Sequence, residues 1–102
     1  HLGNDADGDF GAAGRWLVRA ANNGHAIARE KFSSVLKSIR DKQLADEKAV
    51  DFLFSADTEG DVESTFLLGH LAMEGRGMER DPLQAVEFFQ KAAEQGHAGA
   101  QL

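Results

Sequence analysis

The chain has 102 residues, 11 basic and 17 acidic, with a formal net charge of -6 at pH 7, so it lacks the overall basic balance of a module that grips nucleic-acid backbones. It contains no cysteine, which excludes a disulfide framework and a thiolate-metal site. No run of roughly 18 apolar residues occurs, so no membrane-spanning helix is expected.

A repeat organises what remains. Gly24, Gly60 and Gly96 stand 36 residues apart, and their surroundings match. Trp16, Phe52 and Phe88 fall at equivalent places, as do Leu17, Leu53 and Phe89, then Ala20, Ala56 and Ala92. Recurring small and aromatic positions at this period indicate a helical repeat array.

In chain order, His1 to Gly11 is rich in Gly, Asp and Asn and is expected to be loop. Its Gly3, Asp5 and Asp9 lie under Gly75, Gly77 and Asp81 after a shift of two periods. Ala12 to Asn23 places Ala13, Trp16, Leu17 and Ala20 at helical spacing, and Asn23-Gly24 ends it. His25 to Arg40 is a second helix with a stripe of Ala28, Phe32, Val35, Leu36 and Ile39. Asp46 is placed to cap a third helix to Thr58, burying Ala49, Phe52, Leu53 and Ala56. Val62 to Glu74 is a fourth, with Leu67, Leu68, Leu71 and Ala72 inward, stopped by Gly75-Arg76-Gly77. Asp81-Pro82 combines a carboxylate cap with proline at the first helical position and opens a fifth helix to Gln95. A sixth begins after Gly96, where Ala98 and Leu102 are expected to leave an apolar edge that invites self-association.

Alternating alanine and aromatic positions suit such an array. Alanine lets helices approach closely, and a ring one turn away fills the remaining space. Each pair leaves one flank open, so stacking on the next completes its core.

Catalytic and metal motifs are weak. Asp5, Asp7 and Asp9 alternate as in a calcium loop, but the sixth and twelfth positions, which need Gly and Glu, hold Phe10 and Trp16. They are read as an acidic solvated segment. His1, His25, His70 and His97 show no close ligand spacing; His25 and His97, one residue beyond their glycines, look like turn or first-turn residues. No Gly-x-Ser-x-Gly elbow occurs, and Gly75 and Gly77 lack the preceding strand and following Lys-Ser/Thr of a phosphate cradle. No enzyme activity is expected, and neither a cofactor nor a metal is implied.

The stretch Gly60 to Gly96 closely resembles a Sel1-like repeat, the solenoid family related to tetratricopeptide repeats. The matching residues are Leu68-Gly69, Gly75-Arg76-Gly77-Met78, Asp81, Ala85, Phe88-Phe89 and Lys91-Ala92-Ala93-Glu94-Gln95-Gly96. His97-Ala98 and Ala100-Gln101-Leu102 resemble the opening of a further copy. Arg15-Trp16-Leu17, Ala20-Ala21 and Gly24-His25-Ala26 match moderately. Between them the chain departs from the pattern, with Ser33 for Gly69, Ile39 for Gly75, Asp41 for Gly77 and Ala45 for Asp81.

The resemblance implies an all-α fold of antiparallel helix pairs stacked as a right-handed α-solenoid of about two and a half repeats. Its expected extent is 1-102 as one array within a longer solenoid, with boundaries near Gly24, Gly60 and Gly96. It also implies an adaptor or scaffold that binds a protein or peptide, in bacterial envelope, secretion or signalling settings or in eukaryotic protein quality control, with the bacterial envelope or periplasm and the cytoplasm all compatible. The first helix of each pair tends to line the concave face of such arrays. There Arg29, Glu30, Ser33 and Lys37 of one copy are expected to approach Glu63, Phe66, Leu67, His70 and Glu74 of the next. Phe66, which the apolar stripe does not clearly need, is the candidate peptide anchor. The alternatives are a purely structural segment of a longer solenoid, and an enzyme or small-ligand domain.

Overall fold

The computed structural model describes residues 6–44, 46–97 and 100, with the backbone alone for 6–9. Five helices follow one another: α1 (Ala6–Asn22), α2 (Ala26–Arg40), α3 (Glu47–Thr58), α4 (Val62–Glu74) and α5 (Pro82–Glu94). They form antiparallel hairpin repeats in which α1 packs chiefly on α3 and α4 on α5, with α1 also meeting α2 and α3 meeting α4. This is the expected all-α solenoid architecture.

Helix starts follow from the caps. The Asp46 carboxylate accepts from the amides of Lys48 and Ala49 at 3.0 and 3.2 Å, and that of Asp81 from Gln84 at 3.1 Å. These bonds satisfy amides that have no partner inside their own helix. At the starts of α2 and α4, His25 Nδ1 accepts from Ala28 N and the Asp61 carboxylate from Ser64 N, and at the repeat-equivalent position His97 Nδ1 accepts from Ala100 N. His25, read as a turn or first-turn residue, is therefore the cap of α2. Gly75 ends α4 in the left-handed region at φ 70°.

Two expectations need correction. The segment 6–11, expected as loop, is the start of α1, and Asp9 lies within that helix rather than ahead of one. Packing overrides the loop-like composition. The Phe10 ring stacks on Phe52 at 5.2 Å, and Gly14 lets α1 lie directly on α3, where a Cβ would overlap the Phe52 carbonyl oxygen. Trp16, expected to fill space like Phe52 and Phe88, is 54% exposed. Phe52 is roofed by Phe10 and Phe32, whereas the Trp16 ring is faced by the guanidinium groups of Arg15 and Arg19 at 5.4 and 4.9 Å. The side chains of the acidic run before Phe10, and Ala98 and Leu102 at the expected apolar edge, lie outside the described residues.

The core runs continuously from Val18 through Phe32, Leu36 and Ile39 to Ala49, Phe52, Leu53 and Ala56, then Leu68, Leu71, Ala72, Ala85 and Phe88. One difference between the two α2–α3 and α4–α5 units has a direct steric cause. Gly69 of α4 is buried, and a Cβ there would overlap the Phe89 ring of α5. The equivalent pair is Ser33 and Leu53. Ser33 is exposed, and α2 reaches α3 through the ring of Phe32, stacked on Phe52 at 5.7 Å. The α4–α5 unit is tied further by Asp57. Its carboxylate accepts from the buried Thr65 hydroxyl of α4 and from Lys91 Nζ of α5, the latter at 3.1 Å to each oxygen.

Candidate functional site

The exposed side of α4 next to the end of α2 carries the best-formed recess. Phe66, Leu67 and His70 fall at helical spacing on α4, and Leu67 is 5% exposed, so it forms a floor rather than a contact point. Phe66 and His70 are half-buried and edge-to-face at 4.7 Å. Behind them the Phe66 ring stacks on His97 at 4.2 Å and leans on Phe89 at 5.5 Å, while His70 meets Phe89 edge-on at 5.3 Å. Three rings, His70 of α4, Phe89 of α5 and His97 of the segment after it, thus pack around Phe66.

In front of these rings is a groove of about 210 Å³ lined by Arg40, Lys42, Phe66, Leu67, His70, Glu74 and Arg76. On the other side, Phe66, His70, Phe89 and Ala100 border a second recess of about 260 Å³. A more open depression of about 450 Å³ between α1 and α3 includes Arg15, Asp51, Phe54 and Ser55. Ser55 spends its hydroxyl internally, donating to Gly11 O at 2.6 Å and accepting from Arg15 N at 3.1 Å.

Of the residues expected on the interaction face, Glu63, Phe66, Leu67, His70 and Glu74 lie along α4. Glu63 accepts from Arg40 Nη1 at 3.4 Å and is bonded to His97 Nε2 at 2.7 Å. Glu74 accepts from Arg76 Nε at 2.6 Å. Arg29, Glu30, Ser33 and Lys37 are all exposed on α2, and Arg29 donates to Ala21 O at 3.4 Å, across the α1–α2 turn. Among the described residues no hydrogen bond or ion pair joins these four to α4; α2 reaches α4 through Arg40 instead. Sequence reasoning missed Arg40, Lys42 and Arg76. Arg40 and Arg76 are 36 residues apart, so the repeat period carried a signal for both. Lys42 carried none, since its place follows from a left-handed backbone at φ 67°.

The groove differs in charge from the rest of the molecule. Its lining holds three cations and one carboxylate, in a chain whose net charge is -6. Among the described residues no carboxylate pairs with Lys42, and the buried Nη1 of Arg76 has no acceptor. Away from the groove, Arg19 pairs with Glu59 at 2.8 Å. The hydrogen bond from Arg19 holds the Glu59 carboxyl below the usual carboxylate range, and the same bond raises the Arg19 guanidinium. Among the described residues, no three His, Cys, Asp or Glu side chains converge as a metal site, and no helix is long and apolar enough to cross a membrane.

Comparison with known proteins agrees with this architecture. The Sel1 repeat family model matches residues 1–25 and 62–97, leaving out the α2–α3 unit in which Ser33 replaces the close-packing glycine. A protein of Rattus norvegicus, DAP3-binding cell death enhancer 1, is 35% identical over 85 residues. The match takes in 83% of this chain and 16% of that protein, so the chain spans about a sixth of its relative. No solved structure matches. With its hairpins, its 36-residue period and a family model covering more than half of its length, the chain belongs to the Sel1 repeat family.

Proposed function

We propose that this chain is a non-catalytic protein-interaction module that binds a peptide or protein segment on the face formed by α4 and the end of α2. The observation that carries the reading is Phe66. Its ring is held by His70, His97 and Phe89 yet borders an open groove with an apolar floor. An immobilised aromatic loses little entropy on contact, which is what makes such residues effective anchors. A Sel1-repeat helical module is a fold generally used for binding, and the rat relative is named as DAP3-binding.

A second reading, a structural segment of a longer solenoid, draws on the burial of Leu67 and on the packing of Phe66 toward His97. Selection of peptides from a random display library, followed by amide chemical-shift mapping on this chain, separates the two. Enriched peptides that shift Glu63, Phe66 and His70 and lose binding in a folded Phe66→Ala variant support the module. A footprint elsewhere, or no enrichment with Phe66→Ala losing stability alone, overturns it in favour of framework.

A further inference from the structure

The groove between the end of α2 and α4 has a polarity opposite to the protein that contains it. Arg40 and Arg76 occupy equivalent positions of successive repeats, and stacking brings both to the lining of one groove. Arg40 lies in the last turn of α2, where a cation complements the negative helix end. That accounts for an arginine at this position. It does not account for Lys42, which follows the helix in a left-handed conformation. Nor does it account for the rings of Phe66 and His70 between the cations.

The internal carboxylates do not neutralise the set. Glu63 shares itself between Arg40 and His97, and the bond to Arg40, at 3.4 Å, is long for a charge-assisted contact. Glu74 takes only Nε of Arg76, and Nη1 is left buried without an acceptor. Among the described residues Lys42 has no carboxylate at all. An unpaired ammonium beside a loosely paired guanidinium gains from an incoming anion. The Leu67 floor and the Phe66 ring favour an apolar side chain in the middle of the same groove.

We propose that this groove takes an acidic peptide segment, with an apolar side chain seated on Phe66 and Leu67 and flanking carboxylates directed to Arg40, Lys42 and Arg76. This rests on the interaction-module reading and assigns the chemistry of its partner. The overall negative charge does not oppose it strongly. Exposed charges beyond about 8 Å are largely screened at physiological ionic strength, so the three nearby cations decide the sign.

The test uses this chain with three labelled synthetic peptides of equal length. One places a leucine or phenylalanine between aspartates and glutamates, the second replaces each acid by its amide, and the third replaces each by lysine. Anisotropy and amide-shift titrations are run at low and moderate salt. The acidic peptide is expected to shift Arg40, Lys42, Phe66 and His70, to bind at least about tenfold tighter than the amide peptide, and to weaken several-fold as salt rises. Lys42→Gln with Arg76→Gln is expected to remove most of that preference, whereas Lys31→Gln, exposed on α2 and outside the groove lining, leaves it unchanged. Because Arg76 is partly buried, Lys42→Gln alone serves as the variant that does not disturb folding. Equal binding of the acidic and amide peptides in the groove overturns the acidic assignment and leaves the module intact. Binding of the acidic peptide with no groove footprint overturns this site. Binding of the lysine peptide alone reverses the sign and overturns the proposal. Failure of every display-selected peptide on this face, by contrast, is the result that removes the underlying module.

Discussion

Asp61 does two jobs with one carboxylate. It accepts from the Ser64 amide at 2.8 Å and from the Ser64 hydroxyl at 2.6 Å, and Ser64 is fully buried. Asp61→Ala therefore removes a cap and strands a buried hydroxyl together. The expected loss is about 1–2 kcal/mol in urea unfolding, at the upper end of cap deletions, with Asp61→Asn losing much less. Glu59 behaves differently because its partner Arg19 is at the surface. With its folded pKa lowered by Arg19, the pair stabilises above the ordinary carboxylate range. That contribution is lost as pH falls through the folded value. Glu59→Gln should lower the melting temperature slightly at neutral pH, and the difference should vanish in acid. Asp46 and Asp81 were readable as caps because each stands before an apolar-periodic run. His25 was not, since an imidazole accepts through one nitrogen in one tautomer, a choice that sequence does not display.

Among elements, the α4–α5 contact is set by one missing methyl group. Gly69→Ala places a Cβ in the Phe89 ring, and the neighbouring helices must shift. A destabilisation of about 1–3 kcal/mol is expected. Adding Phe89→Leu should recover much of it, because the shorter side chain vacates the volume that the new Cβ would enter. Thermal or urea unfolding of the single and double variants checks this, and a double variant no better than Gly69→Ala would argue against the steric account. The boundaries of α2 to α5 were legible from caps, glycines and apolar spacing. The start of α1 was not. Glycine and aspartate there resemble a linker by composition, yet Gly11 lies against α3, where an added Cβ would stand 3.0 Å from Asp51 Cβ, a purpose visible only once the partner helix is in place.

At the scale of the molecule, equivalent positions in the repeats differ by what covers them. Val50 is 7% exposed beneath the Gly77 loop, whereas its counterpart Val86 is 46% exposed and Leu83 beside it 79%. This α5 surface is expected to drive weak self-association of the isolated chain. Sedimentation velocity should show weight-average values rising with concentration, and Leu83→Glu with Val86→Glu should abolish the rise. The repeat and its period were legible; the charge of the groove was not, because Arg40, Lys42 and Arg76 meet only through stacking.

The contrast between Gly69 and Ser33 reaches beyond packing. One jaw of the groove, α4, is locked to α5 by Phe89 and by the Asp57–Thr65–Lys91 junction. The other, the end of α2, is seated in the core by Leu36 and Ile39, and its surface is tied to α4 by the long Arg40–Glu63 bond. Amide exchange should accordingly be faster in the last turns of α2 than in α4. In the proposed module, a groove with one wall locked to α5 and the other tied across by a single long bond would keep one anchoring point at Phe66. Its selectivity would then lie in the charge of what it holds more than in its shape.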